Sequence, residues 1–446
     1  MALTILTRAE IEPMGPPIPQ ELSHVGVPKA SLADLALKHA ASLFEPTTAK
    51  VAERLCLPRS LTEELLYQLY REKLLEMQIQ SAPGATRYTM LDHGWERLMW
   101  LRSQCAYEGP APVSLKDYAE MIRAHALPAN PASIETVRAV FDDLVLPDSL
   151  LQTLGCVINS RTSLFLTGLP GVGKTAVSER INAALSGDIW IPYAIEIDGR
   201  IIRLFDPHVH LVVAPADGAV DYDRRWIRIH RPLVTVGGEL MLKDTDLAWS
   251  ETSKFYEAPF QLKSNGGTLV IDDFGRQQVA PQDLLNRWSL PLERRIDFLT
   301  LRNGQKIEVP FEQLVVFSTN LDEKELVDEA FLRRMGYRAR IEPPSTEAYI
   351  EIFHRAAAAR GITVDRVCLD HVVRKYEREQ RLMKSCEPRD LLNRINDICL
   401  FARIGPKVTP ELIDEAWRNY FGSSHTFGPD IPEAMSAVQS INANPN

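Results

Sequence analysis

Two short clusters carry the residue types that handle phosphate. The first is GLPGVGKT, Gly168-Leu169-Pro170-Gly171-Val172-Gly173-Lys174-Thr175, running on through Ala176. Glycines at this spacing let consecutive backbone N–H groups close round an anion and deliver it to the positive end of a following helix. The lysine supplies a mobile ammonium for terminal phosphate oxygens, and the threonine hydroxyl is a ligand for Mg²⁺. The second cluster is Gly267-Thr268-Leu269-Val270-Ile271-Asp272-Asp273, an apolar run ending in two carboxylates. A metal held at a phosphate needs such an acid, so Asp272 is the candidate for Mg²⁺, and Asp273 stands where a base would orient an attacking water.

The elements that must position these groups are equally visible. Ser163 to Thr167 is a short apolar run suited to a buried parallel strand, and a helix follows the loop to about Leu185 with Gly187 as its stop. A third apolar run, Leu314 to Phe317, ends in Ser318-Thr319-Asn320. Beyond Pro343-Pro344 the pattern is helical throughout, closing on a helix with Thr409 as N-cap, Pro410 in its first turn and Gly422 after its end.

In this order the segments resemble the AAA+ ATPases. The loop resembles their Walker A, and the run ending in Asp272-Asp273 their Walker B. Most such motors carry Glu in the place of Asp273, while some initiator and helicase-loader families carry paired aspartates. Asn320 resembles sensor 1, and Asp328 to Arg338 resembles the segment bearing the arginine finger, with Arg334 the first candidate and Arg333 the second. Arg389, in Pro388-Arg389-Asp390-Leu391, resembles sensor 2, and Val140-Phe141 the apolar pair that covers adenine. The resemblance implies ATP and Mg²⁺ as cofactors, sites shared between subunits, and a homo-oligomer, with a hexameric ring the expected form. Phe298 to Val309 form two alternating runs about Asn303-Gly304, a strong hairpin signal. Its place resembles the pre-sensor-1 hairpin, which points to a MoxR-like relative and a chaperone-like role.

The fold class expected is therefore an α/β P-loop NTPase core with a C-terminal all-α lid and an N-terminal winged-helix-like α+β domain. The divisions expected are a flexible arm over 1–30, the winged-helix-like domain over 31–105, a linker over 106–135, the core over 136–342, the lid over 343–421 and a disordered tail over 422–446. Within the core a β-rich insertion is expected over about 190–262, with one hairpin on Asp198-Gly199 and another from Trp226 to Leu242 around Gly237-Gly238. In the N-terminal domain Thr47 to Leu55 and Ser60 to Glu76 form the helix pair and Met77 to Leu91 the wing.

Composition bounds the partners. The 446 residues carry a net charge of −9 and 24% charged residues, which does not imply a general polyanion-binding surface. In the helix pair and wing, Arg59, Arg71, Lys73 and Arg87 are balanced by Glu63, Glu64, Glu72 and Glu76, so DNA binding and protein docking both stay open. No apolar run approaches the roughly 18 to 20 residues that span a bilayer. The N-terminus lacks the order of a secretory signal and the six cysteines are scattered, so a cytoplasmic protein is expected. The function expected is ATP-driven remodelling or assembly of a macromolecule, with a protein as the first candidate target. A DNA-associated regulator or loader and a slow ATP-dependent switch are the alternatives.

Overall fold

The computed structural model describes residues 15–79, 86–126, 131–214, 222–321, 326 and 333–422. The chain forms two compact units, one of residues 1–137, 151–166 and 178–339, the other of 138–150, 167–177 and 340–446.

The first unit opens with three helices, Lys29–Ser42, Thr48–Leu55 and Arg59–Arg71, an antiparallel pair, Leu75–Ile79 with Thr86–Met90, and a fourth helix, Asp92–Gln104. Thr47 starts the second helix by accepting the Lys50 N–H at 3.3 Å, and Cys56 ends it in the left-handed region. Leu61, Leu65, Leu66 and Leu69 of the third helix bury one face against Leu32, Leu37, Leu55 and Leu75. The expected wing turn, Ser81 to Ala85, lies outside the described residues. The arm expected over 1–30 needs correction in its described part. Leu22–Val25 is a 3-10 turn with Val25 fully buried, because these apolar residues join the same core.

The region expected to be a linker is also built into the unit. Val113–Ser114 pairs in parallel with Ala194–Ile197, and Ser114 caps the helix Leu115–Ala124 by accepting the Asp117 N–H at 3.1 Å. Tyr118 and Ile122 of that helix are fully buried with Ile195, Ile202, Leu299 and Val309. The flanking prolines suppressed the sequence signal, but Pro110 and Pro112 precede the strand and Pro128 and Pro131 follow the helix in the sequence, so none interrupts them. A five-stranded platform results, in the order Ala248–Trp249, Tyr256–Glu257, Arg200–Arg203, Ala194–Ile197, Val113–Ser114. The Asp198-Gly199 hairpin is present, with Ile197 opposite Arg200, and Asp198 and Gly199 both at positive φ. The Asn303-Gly304 hairpin pairs Ile296–Thr300 with Lys306–Pro310 and packs Leu299 and Ile307 into the platform core.

The second hairpin of the insertion does not form. Trp226–Ile229 pairs with Ile189–Pro192, whereas Leu233–Val236 joins the central sheet beside Thr268–Ile271, in parallel. The central sheet has the order Tyr337–Ile341, Leu164–Gly168, Leu314–Thr319, Thr268–Ile271, Leu233–Val236. Its Thr268–Ile271 and Leu314–Thr319 strands are buried along their whole length, as sheet covered on both faces requires. Helix Pro281–Arg294 sets Leu284, Leu285 and Trp288 against Phe165, Ile271 and Phe317.

The second unit is helical. Thr346–Ala358, Arg366–Glu379, Glu387–Phe401 and Pro410–Phe421 enclose a core of Tyr349, Phe353, Leu369, Tyr376, Leu392 and Trp417. Thr409 accepts the Leu412 N–H and Pro410 occupies the first turn of the last helix. The expected tail from 423 onward lies outside the described residues. No helix among the described residues is long and apolar enough to cross a membrane.

Candidate functional site

The glycine loop belongs to the second unit. Gly168, Gly171 and Gly173 have φ of 155°, 85° and 102°, in the region that L-residues with a Cβ avoid. A Cβ on Gly168 would stand 2.6 Å from the Ile341 carbonyl oxygen, and one on Gly171 would stand 2.7 Å from Cys386 Sγ. The loop thus needs glycine for both its turn and its clearance. Val172, only 2% exposed, anchors it. The helix Lys174–Ala184 begins at once, with the Val177 N–H donating to the Gly173 carbonyl at 3.0 Å. Its positive N-terminal end opens at the loop, as anion binding requires. Lys174 is buried, and its Nζ donates to the Gly168 and Leu169 carbonyls at 2.9 and 3.1 Å. Leu169, Pro170 and Thr175 are exposed, and Ala176 follows on the first turn.

The same unit brings the expected sensor 2 helix to the loop. The Cys386 N–H donates to the Gly171 carbonyl at 3.0 Å, and Cys386 is the N-cap of Glu387–Phe401. Arg389 lies in that first turn, exposed, with Nε 3.3 Å from Asp390 Oδ1. Asp390 is steadied by the Tyr420 hydroxyl at 3.0 Å. Sequence reasoning missed Glu387, which is buried and accepts from the Tyr376 hydroxyl at 2.6 Å and the Lys384 N–H at 2.8 Å. Burial pushes its carboxyl up from the ordinary range. A glutamate beside Pro388 gives no local sign of this, since Tyr376 is distant in sequence. Phe141 is buried and Val140 half-buried at the end of the helix Ile134–Val140.

The acidic pair belongs to the first unit. The Asp272 N–H donates to the Val236 carbonyl at 2.8 Å, extending the ladder by one residue. Asp273 then turns into the left-handed region at φ 49°, and its N–H donates to Asp272 Oδ1 at 3.0 Å. Phe274, which the sequence reading passed over, locks the turn. It is fully buried against Phe165 and Phe317, its N–H donates to the Ser318 carbonyl at 2.7 Å, and its carbonyl accepts from Thr319 Oγ1 at 2.7 Å. These bonds tie the acidic turn to the end of the neighbouring strand, where Asn320 donates from Nδ2 to Asp273 Oδ1 at 3.3 Å. Asp272, Asp273 and Asn320 are therefore one cluster at the carboxyl ends of adjacent parallel strands, where open α/β sheets bind ligands.

Arg334 and Arg333 are exposed, and Arg334 lies 3.7 Å from Glu293 at the end of the helix Pro281–Arg294, a loose surface pair. Residues 328–332 of the expected finger segment lie outside the described residues.

The motif-bearing strands are neighbours in a helix-covered sheet, and a glycine-bent loop leads from one of them into a helix. The fold is an α/β fold whose parallel sheet carries a strand–glycine loop–helix unit of the P-loop kind. A helical C-terminal region accompanies it. That region, over residues 345–419, matches the family model described as "Domain of unknown function (DUF8689)". No curated protein matches the chain. Among solved structures, the chain is similar to the RuvB Holliday junction branch migration motor of Thermotoga maritima, at 15% identity over 64% of this chain and 68% of that one, with a TM-score of 0.35. It is similar to NtrX from Brucella abortus in complex with ATP, at 14% identity over 66% of this chain and 64% of that one, with a TM-score of 0.37. At these scores the reading of function rests on the site's own residues.

Proposed function

We propose that this protein is a Mg²⁺-dependent ATPase of the AAA+ family, MoxR-like in its hairpin, that remodels or assembles a protein target. The observation that carries the reading is the loop in which Gly168, Gly171 and Gly173 hold left-handed backbone directly before Lys174 and its helix. That is a cradle for phosphate, and few other ligands need it. On an incoming nucleotide, Lys174 exchanges its loop carbonyls for β- and γ-phosphate oxygens. Thr175 and Asp272 are the residues that would hold Mg²⁺, whose charge would offset the charge developing on the transferred phosphoryl group. Asp273 accepts the proton of the attacking water, and Asn320, already bonded to Asp273, orients that water. Arg389 reads the γ-phosphate from the helix whose N-cap touches Gly171. Val140 and Phe141 cover the base. Arg334, with Arg333 second, acts on the site of a neighbouring subunit in a cytoplasmic homo-oligomer, which we take to be a hexameric ring.

A protein target is favoured over DNA by the surface of the N-terminal module. Phe44, Tyr67, Trp95, Met99 and Trp100 are 92%, 50%, 46%, 67% and 52% exposed. Large exposed apolar side chains suit a protein interface. The DNA-loader reading keeps two supporting features, the paired Asp272-Asp273 and the winged-helix-like order of the N-terminal elements. Turnover per protomer measured against protein concentration tests the proposal, with Arg334→Ala as the companion variant. Turnover should rise with concentration and be abolished by Arg334→Ala. Turnover independent of concentration would remove the shared site, and tight duplex binding that weakens steeply with salt would favour the loader.

A further inference from the structure

A cavity of about 590 Å³ lies within the first unit, lined by no residue of the nucleotide motifs. Its floor is the platform edge, where Trp249 faces Tyr256 across the Ala248–Trp249 and Tyr256–Glu257 strands with ring centroids 4.8 Å apart. One wall is the Asp198-Gly199 turn with Arg200, another the Arg302-Asn303 turn of the hairpin, and the third the end of the helix Asp92–Gln104.

These walls are fixed to each other. The Arg302 N–H donates to the Tyr256 hydroxyl at 2.9 Å, and the Arg302 guanidinium sits over the Trp249 ring at 5.6 Å and 3.2 Å from Glu251. Gln305 donates to Asp198 Oδ2 at 2.8 Å, and the Ala106 N–H donates to the Ser253 carbonyl at 2.9 Å. The hairpin turn is thus docked onto the insertion, so the cavity is preorganised by three parts of the chain that meet nowhere else in sequence. Its size is within the range of ligand sites.

The charge of the lining points one way. Arg200, Lys254 and Arg302 line the cavity against Asp198 alone. Glu251, at the rim, is shared between Lys254 at 3.0 Å and Arg302 at 3.2 Å. Arg200 has no acidic partner among the described residues. A guanidinium left unpaired at a cavity wall offers a planar, bidentate match to a carboxylate. The aromatic floor adds area for an aliphatic stem.

We propose that this cavity binds an acidic segment of the partner protein, with Arg200 as its anchor and Lys254 as the second cation. The proposal deepens the protein-target reading and rests on it for the kind of partner. The Arg302 turn continues through Lys306–Pro310 into the strand Leu314–Thr319, which Asn320 follows, so an occupant of the cavity presses on the hairpin that leads to the nucleotide cluster.

The test is fluorescence anisotropy of a labelled oligoglutamate peptide with the full chain, without nucleotide, so that failure of the ATPase reading leaves the result interpretable. Oligolysine and inorganic phosphate are the comparison probes. Saturable oligoglutamate binding that falls at least about tenfold in Arg200→Glu, and weakens as salt is added, is expected. Arg200→Gln, which keeps the side chain's bulk, should weaken binding less and keep the wild-type circular dichroism and melting temperature. Absence of oligoglutamate binding at low salt, or equal binding by Arg200→Glu, overturns the proposal. Displacement of the peptide by inorganic phosphate at matching concentration also overturns it and makes the cavity a site for a small anion.

Discussion

The glycine loop and the acidic turn each follow a strand, and both bend through left-handed backbone, but they do so with different residues. The loop uses Gly168, Gly171 and Gly173, whereas the turn uses Asp273 itself at φ 49°. The difference follows from what each offers a ligand. A loop that binds with backbone N–H groups gains from having no side chain in the way. A turn that binds with a carboxylate must carry a side chain through the same conformation, and Asp tolerates it better than most residues because its short polar group bonds locally. This gives a backbone reason for Asp at a place where the resemblance leads one to expect Glu.

Four changes sharpen or break that contrast. Lys174→Ala should have the largest effect, removing the ammonium from the loop and lowering ATP turnover by at least about a hundredfold, a loss typical of one transition-state charge contact. Steady-state hydrolysis would measure it, and near wild-type turnover would detach the loop from the chemistry. Gly171→Ala should destabilise by about 2 kcal/mol, combining left-handed strain with the contact to Cys386 Sγ, while Gly304→Ala, at φ 84° with open space around it, should cost only about 1 kcal/mol. Denaturant unfolding of both separates clearance from conformation, and equal losses would mean that the loop's glycine is there for its turn alone. Asp273→Glu should cost about 0.5 to 1 kcal/mol of stability through the left-handed position, so any gain in turnover would come from a less stable protein. A Glu variant as stable as wild type would remove the backbone argument.

The smallest effect concerns Glu387, beside the loop. Its folded carboxyl has a higher pKa than its unfolded value of about 4.5, because burial penalises the charged form. The contribution is therefore fully present below the unfolded pKa and is lost as pH rises through the folded one. Relative to Glu387→Gln, the wild type should lose stability as pH is raised from about 4.5 toward neutrality. Denaturant midpoints of the two proteins across that window measure the trend, and a constant difference would mean that Glu387 titrates normally.

How much was legible in the sequence follows from how local each feature is. The loop, Asp272-Asp273, Asn320 and the two hairpins on Asp198-Gly199 and Asn303-Gly304 each show their residue types within a few positions. The insertion was harder. Leu233–Val236 has the same short apolar pattern as a hairpin strand, and only its pairing with Thr268–Ile271 puts it in the central sheet. Tyr118 and Ile122 were lost between prolines, since their burial depends on Ile195 and Val309 far along the chain. Phe274 and Glu387 act through partners that sequence spacing does not reveal. Motifs read well because chemistry fixes their spacing, whereas platforms read poorly because packing partners are distant.

The central claim is that the loop holds the nucleotide and the acidic turn cleaves it. Asp273→Asn keeps a residue that tolerates the left-handed position and removes only the negative charge, so ATP binding and single-turnover hydrolysis should be measured together on this variant. The account predicts ATP binding within about twofold of wild type and hydrolysis reduced by about 10² or more. Hydrolysis at the wild-type rate, or loss of ATP binding itself, would contradict it.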